Sequence, residues 1–211
     1  MIAAVAITVS AKWGVSDLRQ VLVAARQLYG LWALALLLTS MLLGPLTSVL
    51  PWMPFKPSLI YGRRAIGVSA LIFGGLHLAA YVWSVLRRNW RELYTPGILW
   101  VTGLILGMFV FADMLALGLT SRDAAVRSMG GRKWKRLHRT VYVVLGLTLL
   151  HAICVGADFG LNRAPDVKGE ADFGSLIAFL SLSAGWLVIV LLRRRGWRWT
   201  PRFQTASKSS S

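Results

Sequence analysis

Five stretches of this chain run for about 18 to 23 residues with almost no charge, the length that crosses a bilayer core of roughly 30 Å as helix. Leu28 to Leu50 and Ala65 to Leu86 carry no Asp, Glu, Lys or Arg, and Gly97 to Leu119 carries only Asp113. Thr140 to Ala157 and Phe173 to Leu192 are likewise uncharged. Without water to satisfy the backbone, only helices and closed barrels cross lipid. The alternation of a barrel strand is missing from all five runs. The expected fold is therefore an all-α integral membrane helical bundle of five clear spans. A composition of 56% hydrophobic and 15% charged residues agrees, since it does not suit a soluble domain.

The ends are less regular. MIAAVAITVSA is apolar but short, and Lys12, Asp17, Arg19 and Arg26 follow it. It reads as a degenerate first span, an interfacial helix or a signal-like stretch without a basic beginning; a partial or tilted sixth segment is preferred. The chain divides into an N-terminal segment at 1–27, a membrane domain at 28–195, and a basic tail at 196–211. The tail ends in TASKSSS and is expected to be disordered.

A net charge of +16 invites a nucleic-acid reading, but the distribution of charge argues against one. Three basic residues lie at 51–64 (Lys56, Arg63, Arg64), six at 120–137, and six more from Arg193 onward. The loop at 87–96 has three, and the loop at 158–172 has two together with four acids, Asp158, Asp166, Glu170 and Asp172. Basic residues thus gather on alternate loops, as the positive-inside rule requires of a plasma-membrane protein. The carboxyl tail is expected in the cytoplasm and the acidic loop outside. Nucleic acid is not an expected partner; anionic lipid is.

Orientation assigns a depth to each of the three histidines. A polar ionisable side chain at membrane depth is costly, which marks it as functional by default. The second span starts inside at Arg64, and His77 lies roughly 20 Å further along at 1.5 Å per residue. The fourth starts inside beside His138, and His151 again lies about 20 Å further on. His77 and His151 therefore fall level in two helices that point the same way. Imidazole is the usual axial ligand of haem iron, so this pair is expected to clamp one b-type haem in the outer half of the membrane.

His138 is left at the inner level without a histidine partner. Fourteen residues before His77 stands Arg63, close to four turns away and so on the same helix face. A guanidinium stays protonated and ligates iron poorly, but it suits a haem propionate. An inner haem is then either five-coordinate through His138 or completed by another group. The cofactor-binding candidates are His77, His151, His138 and Arg63, and the metal ligands among them are the three histidines. An interfacial histidine is the plain alternative for His138. Gly74 and Gly75 suit close approach of a flat macrocycle or simple helix packing. Asp113 either pairs with Arg63, steers a proton or neutralises a loop arginine.

No catalytic constellation accompanies these residues. Cys154 is the one cysteine, which excludes an internal disulfide and a thiolate metal site. GRRAIG and GGRKWK lack the spacing and the preceding strand of a phosphate-binding loop, so electrons from a pyridine nucleotide require another protein. The tryptophans, among them Trp52, Trp83, Trp90, Trp100, Trp134, Trp197 and Trp199, lie mostly near span ends, as in an aromatic belt.

The segments YGRRAIGVSALIFGGLHLAAYVW, LGLTS and GRKWKRLHRTVYVVLGLTLLHAI carry an RR-x-x-G…LH block and a W-x-x-LH-R…H block. In these the chain resembles the ferric-reductase-like transmembrane family over roughly residues 30–195. Within that family it resembles haem-binding subunits of periplasmic methionine sulfoxide reductase systems. The resemblance implies a six-helix protein with one or two b-type haems and FMN, with His77, His138 and His151 at the family's histidine positions. It also implies an electron-transfer subunit rather than a catalytic one. The donor would be the quinone pool or a cytosolic flavin reductase, and the acceptor a periplasmic molybdopterin-containing reductase. A ferric-reductase-like protein with another acceptor, and a non-redox transporter or scaffold, are the rival readings.

Overall fold

In the computed structural model, residues 18–50, 52–86, 91, 97–155 and 173–196 are described. They form α1 (Leu18–Val49), α2 (Lys56–Tyr81) continued by a π-helical turn (Val82–Leu86), and α3 (Ile98–Leu119). Two short helices follow, α4 (Asp123–Met129) and α5 (Gly131–His138), then α6 (Val141–Val155) and α7 (Phe173–Arg194). Among the described residues four helical stretches are long and apolar enough to cross a membrane: Val21–Val49, Lys56–Ser84, Ile98–Leu119 and Gly131–Val155. The apolar run at 173–192 is helical throughout as part of α7. The protein is an all-α, multi-pass membrane bundle.

The first apolar run begins at Leu28, yet α1 starts ten residues earlier and carries Arg26 within it. Arg26 is buried, and its guanidinium lies 5.7 Å from the centre of the Tyr81 ring, a cation–π contact. Residues 1–17, which include most of the ambiguous N-terminal stretch, lie outside the described residues. So do the whole of the loop at 158–172 and all of the loop at 87–96 except Arg91.

Pro45 sits inside α1 and removes one backbone donor. Hydroxyls nearby fold back onto the helix: Thr47 donates to the Leu43 carbonyl at 2.8 Å and Ser48 to the Gly44 carbonyl at 2.9 Å. In lipid such local bonds keep an irregular helix satisfied. Pro57 falls in the first turn of α2, where its missing N–H is no loss. Gly130, at φ 77°, makes the turn between α4 and α5, a backbone angle that a side chain would resist.

α1 packs along α2 and α3 along α6, with further contact of α1 to α6 and α7 and of α2 to α3. Leu34, Leu37, Leu38 and Met41 of α1 meet Ala70 of α2, Val110, Met114 and Leu117 of α3, and Val144 and Leu145 of α6. Leu34, Leu37, Val110 and Met114 of this core also form the floor of a cavity. The hollow opens beside the C-terminal parts of α2 and α6.

Candidate cofactor site

The hollow is a cavity of about 490 Å³, walled almost entirely by apolar side chains from α1, α2, α3 and α6. That volume lies within the range of roughly 300–1,000 Å³ usual for cofactor and ligand sites. His77 enters it from α2 and His151 from α6, with Gly74, Phe111, Met114 and Trp100 among the other walls. The two imidazole centres are 6.1 Å apart and the ring planes stand at 87°. The level placement expected for this pair therefore becomes direct proximity.

Each ring is held by a backbone carbonyl of a neighbouring helix. His77 Nδ1 is 2.8 Å from the Arg26 carbonyl oxygen on α1. His151 Nδ1 is 2.6 Å from the Gly103 carbonyl oxygen on α3. A carbonyl has no hydrogen to give, so in both rings Nδ1–H donates, leaving the Nε2 lone pair available. This is the arrangement in which a histidine binds metal, with the far nitrogen anchored and the near one basic.

The donor set distinguishes what fits. Among the described residues no group of three or more His, Cys, Asp or Glu side chains gathers to hold an ion. A bare ion on two nitrogens would be under-coordinated, whereas a tetrapyrrole brings four nitrogens of its own. With metal–imidazole bonds of about 2 Å and about 1.1 Å from ring centre to nitrogen, two rings that share one metal stand at most roughly 6.2 Å apart. The observed separation of 6.1 Å is within that reach. The residues present fit a bis-imidazole haem.

Among the described residues the cavity has one charged wall. Arg26 lines it, a buried cation in a membrane span and so a natural counter-charge for an acidic edge of a bound group. Trp100 also lines it, and its buried Nε1–H has no hydrogen-bond partner among the described residues. Trp100 is thus a wall residue rather than a belt residue. Trp52 and Trp83 are exposed near helix ends, while Trp90, Trp197 and Trp199 lie outside the described residues.

His138 and Arg63 do not join this site; neither lines the cavity. The His138 ring stacks on Trp134 with centres 4.1 Å apart. Its Nε2 lies 3.2 Å from the Thr120 hydroxyl, which itself donates to the Ala116 carbonyl at 2.7 Å, so Nε2–H is the donor. Trp134 Nε1–H donates to the Thr120 carbonyl at 2.9 Å, tying α5 to the end of α3. Arg63 reaches α1, where a Cβ on Gly44 would stand 3.1 Å from its Nη1. Asp113 makes no ion pair with Arg63 among the described residues; Arg64 pairs instead with Asp123 at 2.9 Å.

Residue reasoning had not singled out Arg26, Gly30, Gly103 or Gly107. The signal for the last two was present as GLILG, a small-x-x-x-small pattern of close helix contact. Of the glycines that were singled out, Gly74 lines the cavity with open space at its Cβ position, and Gly75 faces Phe111.

Residues 29–149 match the family described as ferric reductase like transmembrane component. The chain belongs to the ferric-reductase-like transmembrane family. The match takes in His77, Gly30, Gly103, Gly107 and His138 and stops two residues short of His151. Among this membrane family's members the chain is similar to the protein-methionine-sulfoxide reductase heme-binding subunit MsrQ of several bacteria. It is 33% identical to that of Azospira oryzae over 170 residues, 79% of this chain and 66% of the relative. It is 36% identical to that of Caulobacter vibrioides over 141 residues, 66% of this chain and 63% of the relative. For Bordetella pertussis the figures are 33% over 174 residues, 79% of this chain and 74% of the relative. The chain thus spans just under two thirds of the length of the first two. No solved structure matches it.

Proposed function

We propose that this protein carries electrons across a bacterial inner membrane through b-type haem, serving a periplasmic methionine sulfoxide reductase. One observation carries the reading: two imidazoles from different helices, each fixed at Nδ1 by a carbonyl, face one apolar cavity at a spacing that suits a single iron. The heme-binding name shared by the relatives supports it. Bound haem supplies a one-electron ferric/ferrous couple.

The chain's own residues supply placement and environment. His77 and His151 offer Nε2 lone pairs and hold their ring planes through the Arg26 and Gly103 carbonyls. Leu34, Leu37, Leu104, Val110 and Met114 exclude water from the cavity. The Arg26 guanidinium, buried beside the Tyr81 ring in the cavity wall, would serve as a counter-charge to an acidic edge of the macrocycle. The positive-inside pattern orients the carboxyl tail to the cytoplasm and the His77–His151 level toward the periplasm. Electrons would enter from a quinone or a cytosolic flavin reductase and leave to a molybdopterin-containing subunit. A second group at the level of His138 and Arg63, haem or FMN, belongs to the same reading. There Nδ1 of His138 is the free nitrogen, because Nε2–H is committed to Thr120.

The test is the absorption spectrum of purified protein, with iron and flavin counted per chain. His77→Ala and His151→Ala should each abolish low-spin haem absorbance while membrane insertion is unchanged. A normal haem spectrum in both variants would refute the assignment. Failure of the haem-loaded protein to reduce a periplasmic sulfoxide reductase, with ferric iron reduced instead, would move the acceptor and leave the haem in place.

A further inference from the structure

The two carbonyl bonds share a register. Arg26 stands four residues before Gly30, and Gly103 four residues before Gly107. In an α-helix the carbonyl of residue i already accepts the N–H of residue i+4. Residues i and i+4 also share a face, so the i+4 side chain flanks the approach to that carbonyl's second lone pair. An incoming imidazole can reach it only where that flank is bare. A Cβ on Gly30 would stand 2.9 Å from His77 Nδ1 and 3.1 Å from its Cε1. A Cβ on Gly107 would stand 2.8 Å from both Nδ1 and Cε1 of His151. Contacts this short force a shift, and the obstacle is a ring whose place the carbonyl bond defines. The same device therefore occurs twice, on α1 for α2 and on α3 for α6.

We propose that Gly30 and Gly107 are positioning residues for the iron ligands: lacking a side chain, they open the carbonyls of Arg26 and Gly103 to the imidazoles, and those bonds set the potential of the metal. This inference rests on the haem reading above. An Nδ1–H drawn toward a carbonyl makes Nε2 a stronger donor, which favours ferric over ferrous iron. Losing the bond moves the midpoint potential upward. Outer partners of this kind are worth roughly 10-fold or more in metal binding. A tenfold weaker preference for the ferric state is about 59 mV for a one-electron couple.

The experiment is a redox titration of the haem-loaded full chain in detergent, read optically, with low-spin electron paramagnetic resonance of the oxidised form. Gly30→Ala and Gly107→Ala should each raise the potential and alter the low-spin signal. Gly146→Ala, on α6 with open space at its Cβ position, should change neither. A second route removes packing from the question. His77→Gly and His151→Gly refilled with imidazole should show a lower potential than the same proteins refilled with 1-methylimidazole, which has no N–H to donate. Unchanged potentials in the alanine variants, or equal potentials with the two imidazoles, would overturn the proposal and leave the haem assignment standing. Wild-type protein that purifies without haem would instead overturn the reading beneath it.

Discussion

Gly103→Ala offers a quantitative test of how α3 and α6 bring His151 to its carbonyl. A Cβ at this position would overlap Val155 Cγ1 and stand 2.8 Å from Cys154 Cβ. Neither obstacle can retreat alone: valine is nearly confined to one rotamer in a helix, and the cysteine Cβ is bonded directly to backbone. The helices must part. Overpacking costs about 1–3 kcal/mol, and two fixed obstacles place this case near the top of that range. Alanine recovers about 1 kcal/mol over glycine in a helix interior. The net loss is then about 2 kcal/mol, roughly a 30-fold fall in the folded-to-unfolded ratio. Gly118→Ala is the internal control. Its Cβ would overlap Leu71 Cδ2, the far end of a flexible side chain, so a cost of about 1 kcal/mol is partly offset by a smaller gain in the last turn of α3, and the net loss stays below about 1 kcal/mol. Reversible unfolding in mixed micelles by added dodecyl sulfate, followed by tryptophan fluorescence, measures both. A Gly103→Ala protein no less stable than Gly118→Ala would show that α3 and α6 do not meet at this glycine.

His138→Ala should keep the low-spin haem of the His77–His151 site and change the fluorescence of Trp134, which loses its stacked ring; complete haem loss would contradict the separation of the two levels. Protein made under haem starvation should unfold at a lower dodecyl sulfate concentration, because a ligand at 100 times its Kd stabilises by about 2.7 kcal/mol; equal midpoints would argue against a site in the bundle interior. Asp123→Asn breaks an ion pair whose side chains are 47% and 72% exposed. Its cost should stay below about 1 kcal/mol and shrink with salt, and a larger loss would show that Arg64 anchors α4 more firmly than an exposed pair can.

Much of the bundle was legible in the residues. Uncharged runs at 97–119 and 140–157 became α3 and α6 within two residues at each end, because apolar length is what a bilayer selects. The start of α1 was not legible. Arg19 and Arg26 read as a break, yet a charge does not end a helix when its side chain finds a partner, as Arg26 does over Tyr81. The levels of His77, His151 and His138 followed from counting at 1.5 Å per residue. Trp100 was misread because position along a span does not tell which way a ring faces.

From the chain of letters alone came the helices, their apolar cores, and the level of each histidine, since rise per residue and the cost of charge in lipid are local quantities; where α1 and α2 begin, ten and nine residues before their uncharged runs, did not. Which side of each helix meets which neighbour was settled only in three dimensions. α3 and α6 are apolar almost all round, so hydropathy marks no inward face on them. Bringing His151 to the Gly103 carbonyl and His77 to that of Arg26 depends on rotation about each helix axis. That rotation is decided by where two backbones come close enough for a missing Cβ to matter.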